Sequence, residues 1–211
     1  LALKAKKFSK KNILIAGSLP AQNKTYVLDD RENYLIEKDF FDQAKIIKPF
    51  VDFFYLDVLS SIKECQIAFD VLEKMNLPIM LGLHIKSNGK LPSNESIPEV
   101  IQKCRNKNLI GVIFACVSPE IIEKSIDEVK NFKIPFGYKA NLWKIKEPLP
   151  HTAWQSKPGS NPIKVLGTRE DYTDKKFYEF SKKMLNKGAT ILGGCCEIKP
   201  SHIRKISDLK H

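Results

Sequence analysis

The sequence is defined first by what it lacks. No stretch approaches the roughly 18 consecutive apolar residues of a membrane-spanning helix, and no secretory signal pattern opens the chain. No membrane partner is expected, and a cytoplasmic location is. Neither a GxGxxG turn nor a Walker A sequence occurs, which leaves the two commonest phosphate-binding loops without support. The five cysteines, at 65, 104, 116, 195 and 196, are odd in number and form no CxxC, so reduced thiols are expected rather than a disulfide framework. Acidic residues are in deficit, 24 Asp+Glu against 35 Lys+Arg, for a formal charge of +11. Such an excess is compatible with nucleic-acid binding. The lysines, however, are spread over every segment with no aromatic-interleaved basic stripe, so solvated helix faces and no nucleic-acid partner are expected.

What is present is an alternation. Apolar runs at 12–19 (NILIAGSL), 52–58 (DFFYLDV), 78–85 (PIMLGLHI), 109–116 (LIGVIFAC), 134–141 (IPFGYKAN) and 189–196 (ATILGGCC) read as strands. Helical patterns fall at about 37–48, 61–75, 96–107, after Ser118, at 171–187 and at 200–209. Ser118 is placed to cap, Pro119 opens the helix, and Gly188 is placed to end one. The opening LALKAKKFSKK reads as the tail of an amphipathic helix.

Strands apolar on both faces, alternating with helices, fit either a doubly wound sheet or a (β/α)₈ barrel. The strand ends favour the barrel. Ser18, Asp57, His84, Cys116, Asn141 and Cys195/Cys196 all stand at the carboxyl ends of predicted strands, and a barrel gathers those ends on one rim. The expectation is α/β: a single domain over 1–211, a TIM barrel with about six strand–helix units, short of eight.

Consecutive cysteines cannot easily bond to each other, because neighbouring Cα atoms sit at about 3.8 Å and a disulfide needs roughly 4.4–6.8 Å. Cys195 and Cys196, together with Cys116 on the same rim, instead offer three thiolates and one open position, the pattern of a zinc site. Gly193 and Gly194 are expected to let the backbone turn so that both side chains aim inward. A thiolate-rich zinc centre suits holding another thiol as thiolate for attack on a methyl group. Cys65 and Cys104, on helices, read as buried small hydrophobes.

GGCCEIKPSHIRKI (193–206) resembles the closing motif of the homocysteine S-methyltransferases. FYEFSKKMLNKGATILGGCC resembles that family's last helix and strand, and GVIFACVSPEII the segment carrying its first zinc cysteine. NILIAGSLP and VDFFYLDVLSSIKECQIAF resemble its third and fourth barrel units. The resemblance implies that Cys116, Cys195 and Cys196 are the zinc ligands and act catalytically through zinc, with the homocysteine sulfur as exchangeable fourth. It places Asp57 where the family has a Glu near the substrate amino group and Asn141 at an Asn after the seventh strand, and it implies that both bind substrate. The implied reaction moves a methyl group from S-methylmethionine, or a similar onium or folate donor, to homocysteine.

Three positions depart from the family pattern. Ala115 stands where an Asn precedes the first zinc cysteine, Asp57 is a shortened Glu, and YKAN replaces Tyr-Ala-Asn. In the last, either Lys139 replaces the Tyr or Tyr138 is shifted by one. The family's first strand, with its Asp-Gly-Gly motif, and its second unit have no counterpart, so an N-terminally truncated barrel is expected. A catalytically inactive barrel, or the homocysteine-binding part of a split methionine synthase, stays open as the alternative. Ser18 and Asn23 are candidates for substrate contact. His84 is a candidate for assisting at the rim, and His202, as the family's His, for a contact near the site or for capping or packing; Trp143 and Trp154 flank a loop, 142–168, that is a candidate lid or part of the donor pocket.

Overall fold

A computed structural model describes residues 1–9, 11–105, 108–147 and 161–209. Each of the six apolar runs yields a strand: β1 Ala16–Pro20, β2 Phe53–Leu59, β3 Ile79–Leu83, β4 Leu109–Val117, β5 Phe136–Ala140 and β6 Ile191–Gly194. They pair in sequence order, all parallel, and curl into a half-barrel flanked by helices. A doubly wound sheet needs a point where strand order reverses. This sheet has none, so the barrel-type winding is the observed one.

The helices are α1 Ala2–Phe8, α2 Asn33–Ile47, α3 Ile62–Glu73, α4 Ile97–Cys104, α5 Pro119–Ser125, α6 Ile163–Leu166, α7 Asp174–Asn186 and α8 Pro200–Ile206. Their ends follow cap chemistry. Ser61 accepts from the Glu64 amide, Ser96 and Glu99 form a capping box, and Thr173 accepts from the Lys176 amide. Gly188, at φ 96°, closes α7 as expected. Ser118 stands at the start of α5, but its side chain makes no cap bond. Helix α2 starts at Asn33 rather than 37, and its N-cap residue Glu32 makes no side-chain cap bond. Strand β1 starts at Ala16 rather than residue 12.

The period of two sorts each strand between two apolar clusters. Outward residues such as Leu19, Phe54, Leu56, Leu81, Phe114 and Tyr138 pack with Ile36, Phe40, Leu72, Ile101, Phe177 and Met184 of the helices. Fully burying one such Leu or Phe contributes about 1.5–3 kcal/mol, so this layer holds the helices to the sheet. Inward residues form a second, smaller cluster: Tyr26, Tyr55, Val58, Ile113, Ala115 and Cys116, with Cys195 and Cys196 against it. Strand β1 is an exception to two-sided apolar burial. Only its outward Gly17 and Leu19 are buried, and Ala16, Ser18 and Pro20 are exposed.

Two strands break register near their carboxyl ends. In β4, Ala115 pairs with Lys139 and Val117 with the next residue, Ala140, so Cys116 is an extra residue, held at φ 55°. In β2 the shift between Leu56 and Leu59 contains Val58 at φ 63°. Both are β-bulges, devices that re-aim side chains at barrel rims. A left-handed conformation in a non-glycine residue costs on the order of 1–3 kcal/mol, so the surrounding contacts must enforce it.

Candidate functional site

The β4 bulge is what puts a thiol on the inner face. In a regular strand Ala115 and Cys116 would face opposite ways, whereas here both lie in the inner cluster. Asn141, just past β5, holds the bulge: its Nδ2 donates to the Cys116 carbonyl oxygen at 2.6 Å, and its own amide donates to the Val117 carbonyl at 3.0 Å. Asn141 and Cys116 are both buried.

Cys195 and Cys196 follow β6 directly. The Cys195 amide donates to the Ala140 carbonyl at 2.7 Å, the Leu142 amide to the Cys196 carbonyl at 3.0 Å, and the Ile198 amide to the Cys195 carbonyl at 3.2 Å. These bonds pin the turn to the Asn141 loop. Gly193 and Gly194 do not supply the turn through backbone freedom, since neither has positive φ; Glu197 does, at 64°. What Gly194 supplies is room: a Cβ there would lie 2.2 Å from Ile198 Cγ2.

The three sulfurs converge although Cys116 and Cys196 are 80 positions apart. Cys116 Sγ lies 3.6 Å from Cys196 Sγ, and Cys195 Sγ lies 3.7 Å from Cys196 Sγ. All three lie within 4.8 Å of one another. A tetrahedral centre with metal–sulfur bonds of about 2.3 Å has edges of about 3.8 Å, which the two edges to Cys196 match, so the trio is able to hold a metal ion. The thiols are also poised for exchange of protons against a cation. Cys195 is pushed up to about 12, first by its hydrogen bond with Cys116. Cys116 reaches about 11 and Cys196 about 12; for each, one sulfur hydrogen bond acts downward, from Cys195 and Cys116 respectively, and the other sulfur bond with burial outweighs it. Such thiols keep their protons at neutral pH until a soft cation displaces them.

Tyr26 completes the surroundings of Cys116. Its hydroxyl lies 3.2 Å from Cys116 Sγ, and burial first, then the thiols, raise its pKa, which leaves it a donor toward a thiolate. Its ring sits 4.5 Å from that of His84. His84 Nδ1 is 3.2 Å from the Ala115 carbonyl oxygen, and burial pulls its pKa down to about 4. His84 is thus a neutral residue packed behind the site, touching it through Tyr26 and Ala115.

On the same inner face, Asp57 is held by three neighbours. Lys139 Nζ lies 2.8 and 2.7 Å from its two oxygens, Tyr55 Oη donates to Oδ1 at 2.8 Å, and Ser18 Oγ is 3.4 Å from Oδ2. Burial acts to lower the Lys139 pKa, and Cys195 and Asp57 outweigh it and raise it. The YKAN ambiguity resolves here. Tyr138 faces outward, its hydroxyl donating to Ser181 at 2.7 Å, so Lys139 holds the inner position.

The remaining candidates lie elsewhere. His202 is buried, accepts the Lys199 amide at 2.9 Å, stands 3.1 Å from the Tyr172 carbonyl oxygen, and packs on Phe177; it caps α8. Asn23 hydrogen-bonds Asp29, which also pairs with Arg31. Trp143 is buried and bridges to Thr168, which pins the two ends of the 142–168 loop together; α6 lies within that loop. Trp154 falls outside the described residues. Sequence reasoning missed Tyr26, which stands in the polar loop after β1 with no motif to mark it, and the Lys139–Asp57 pair.

No helix among the described residues is long and apolar enough to cross a membrane. The fold matches the homocysteine methyltransferase MmuM of Escherichia coli, solved in a metallated form, with a TM-score of 0.72 at 14% identity, over 99% of this chain and 65% of that one. Homocysteine S-methyltransferase 1 of Arabidopsis thaliana is 27% identical over 70% of this chain and 43% of its own length. Homocysteine S-methyltransferase 3 of the same plant is 25% identical over 96% of this chain and 59% of its own. The chain therefore spans less than two thirds of the length of these relatives. The family model for homocysteine S-methyltransferase matches residues 1–209, a span that includes all three converging cysteines and the half-barrel presenting them, and so the chain belongs to the homocysteine S-methyltransferase family.

Proposed function

We propose that this chain, as one cytoplasmic domain, transfers a methyl group from a donor such as S-methylmethionine to the thiol of homocysteine, with Cys116, Cys195 and Cys196 as zinc ligands. The observation that carries the reading is the trio of inner-face sulfurs within 4.8 Å of one another. Three soft donors favour zinc over magnesium or manganese and leave a fourth position for a substrate sulfur. When bound, zinc supplies a thiolate at neutral pH that is still nucleophilic. In the transfer, the thiolate pair forms the new sulfur–carbon bond while the donor's carbon–sulfur bond breaks, its electrons staying on the donor sulfur. An anion and a sulfonium become two neutral thioethers.

The chain's own residues orient this displacement. Asn141 and Tyr26 fix the position and charge of Cys116. Asp57 receives the substrate ammonium, and Ser18 steadies Asp57. The inner cluster of Tyr55, Val58 and Ile113 excludes water from the attacking sulfur.

The test is to load the protein with zinc, supply homocysteine with S-methylmethionine carrying a deuterated methyl, and follow labelled methionine by mass spectrometry. Labelled product, abolished by Cys116→Ala, supports the reading. Product at the uncatalysed rate from folded, zinc-loaded protein, with sulfonium, betaine and folate donors alike, overturns it.

A further inference from the structure

The proposed reaction leaves Lys139 without a task. Its register neighbours are Ala115 on β4 and Gly193 on β6, so it stands between the strand ends that carry Cys116 and Cys195. Its Nζ engages both oxygens of Asp57 and lies 5.0 Å from the centre of the Tyr55 ring. The two side chains are only 23% and 16% exposed. Both Asp57 oxygens are therefore already occupied, Oδ1 by Tyr55 and Lys139, Oδ2 by Ser18 and Lys139. A substrate ammonium that pairs with both oxygens of Asp57 must take the place of Lys139, which now spans them.

A displaced lysine in this half-buried place needs a new anion, because a single buried charge is strongly unfavourable. An α-amino acid brings one, its carboxylate fixed one carbon away from its ammonium. One ion pair plus one zwitterion then becomes two ion pairs, and no charge is left alone. We infer that Lys139 and Asp57 form a receptor for the α-amino-acid end of the thiol substrate, opened by it, Asp57 taking the ammonium and Lys139 the carboxylate. The inference rests on the thiol-substrate reading above and extends it to specificity. A thiol carrying only one of the two charges strands half of the pair.

The experiment measures binding by calorimetry to zinc-loaded wild-type, Lys139→Met and Lys139→Arg proteins, zinc content being checked first. The probes are L-homocysteine, 3-aminopropane-1-thiol, which lacks the carboxylate, and 4-sulfanylbutanoate, which lacks the ammonium. The wild type is expected to bind homocysteine at least about 100-fold more tightly than either analogue, as for sites that leave buried polar groups unpaired by the wrong ligand. In Lys139→Met, homocysteine weakens by about 30-fold or more. The amine analogue holds its affinity or gains, because it no longer has to expel a lysine. Lys139→Arg retains most of the homocysteine affinity.

Uniform weakening of all three thiols in Lys139→Met would overturn the inference alone, leaving Lys139 as a counter-charge for the sulfurs. So would equal affinities of the wild type for homocysteine and the amine analogue, a comparison that needs no variant to fold. Absence of binding by any of the three thiols to zinc-loaded wild type would instead overturn the functional reading itself.

Discussion

The side-chain amide of Asn141 donates to the backbone of Cys116 at 2.6 Å and lies 3.8 Å from the same residue's sulfur. One side chain thus holds a left-handed backbone and touches the thiol which that backbone presents. Its Oδ1 also accepts the Trp143 amide at 3.2 Å. Replacing Asn141 with Ala leaves buried groups on both sides unpaired, at a cost of about 1–3 kcal/mol. Thermal unfolding of Asn141→Ala should show that loss, and chelator competition should show zinc affinity reduced by about 10–100-fold. An unchanged zinc affinity in a folded variant would separate Asn141 from the metal site.

Tyr26→Phe removes the hydroxyl 3.2 Å from Cys116 Sγ while keeping the ring against His84. The fold should survive with little change. Zinc should be released to a competing chelator at about tenfold lower chelator concentration. A cobalt-substituted protein should also show a shifted thiolate charge-transfer band, because one sulfur loses a donor. Identical spectra and affinities would mean that the hydroxyl contributes only packing.

Gly194→Ala should displace the cysteine turn, since the added methyl would meet Ile198 Cγ2 at 2.2 Å. Overpacking of this kind costs about 1–3 kcal/mol. The double variant Gly194→Ala/Ile198→Ala should recover part of the loss, with a coupling of about 0.5 kcal/mol or more. Simple additivity of the two changes would show that the glycine is required for another reason.

Glu64 gives a pH signature far from the sulfurs. It is buried, Ser61 Oγ donates to its Oε2 at 2.9 Å, and its Oε1 has no partner among the described residues. Burial raises its pKa from 4.5 to about 7. The folded value exceeds the unfolded one, so its contribution is fully present below about 4.5 and lost as pH rises through about 7. Between pH 4.5 and 8 the wild type should lose up to about 3 kcal/mol relative to Glu64→Gln in denaturant unfolding. His84 runs the other way, its contribution full above 6.5 and lost as pH falls through about 4. Parallel pH profiles for wild type and Glu64→Gln would contradict the burial argument.

The winding of the fold was legible because each parallel strand is an apolar run, and DFFYLDV at 52–58 became Phe53–Leu59 with a shift of one residue. Cys116, Cys195 and Cys196 were legible because strand ends of a barrel share a rim. Less legible were the devices that make the rim work. The bulges at Val58 and Cys116 use β-branched and sulfur-bearing residues in left-handed conformations, where local sequence would call for glycine. The role given to Gly193 and Gly194 was wrong for the same reason: the turn takes its positive φ at Glu197, and Gly194 serves close packing. Tyr26 and Cys116 meet across 90 positions, and Lys139 and Asp57 across 82. Only the curl of the sheet brings such pairs together.

The three sulfurs at the mouth of the half-barrel are expected to hold a single zinc ion. Elemental analysis of purified wild-type and Cys196→Ala protein tests this expectation most directly. About one zinc per chain is expected in the wild type, resistant to dialysis, with loss of that zinc in Cys196→Ala and the fold retained. Zinc kept by Cys196→Ala, or a folded wild type that takes up none, would contradict it.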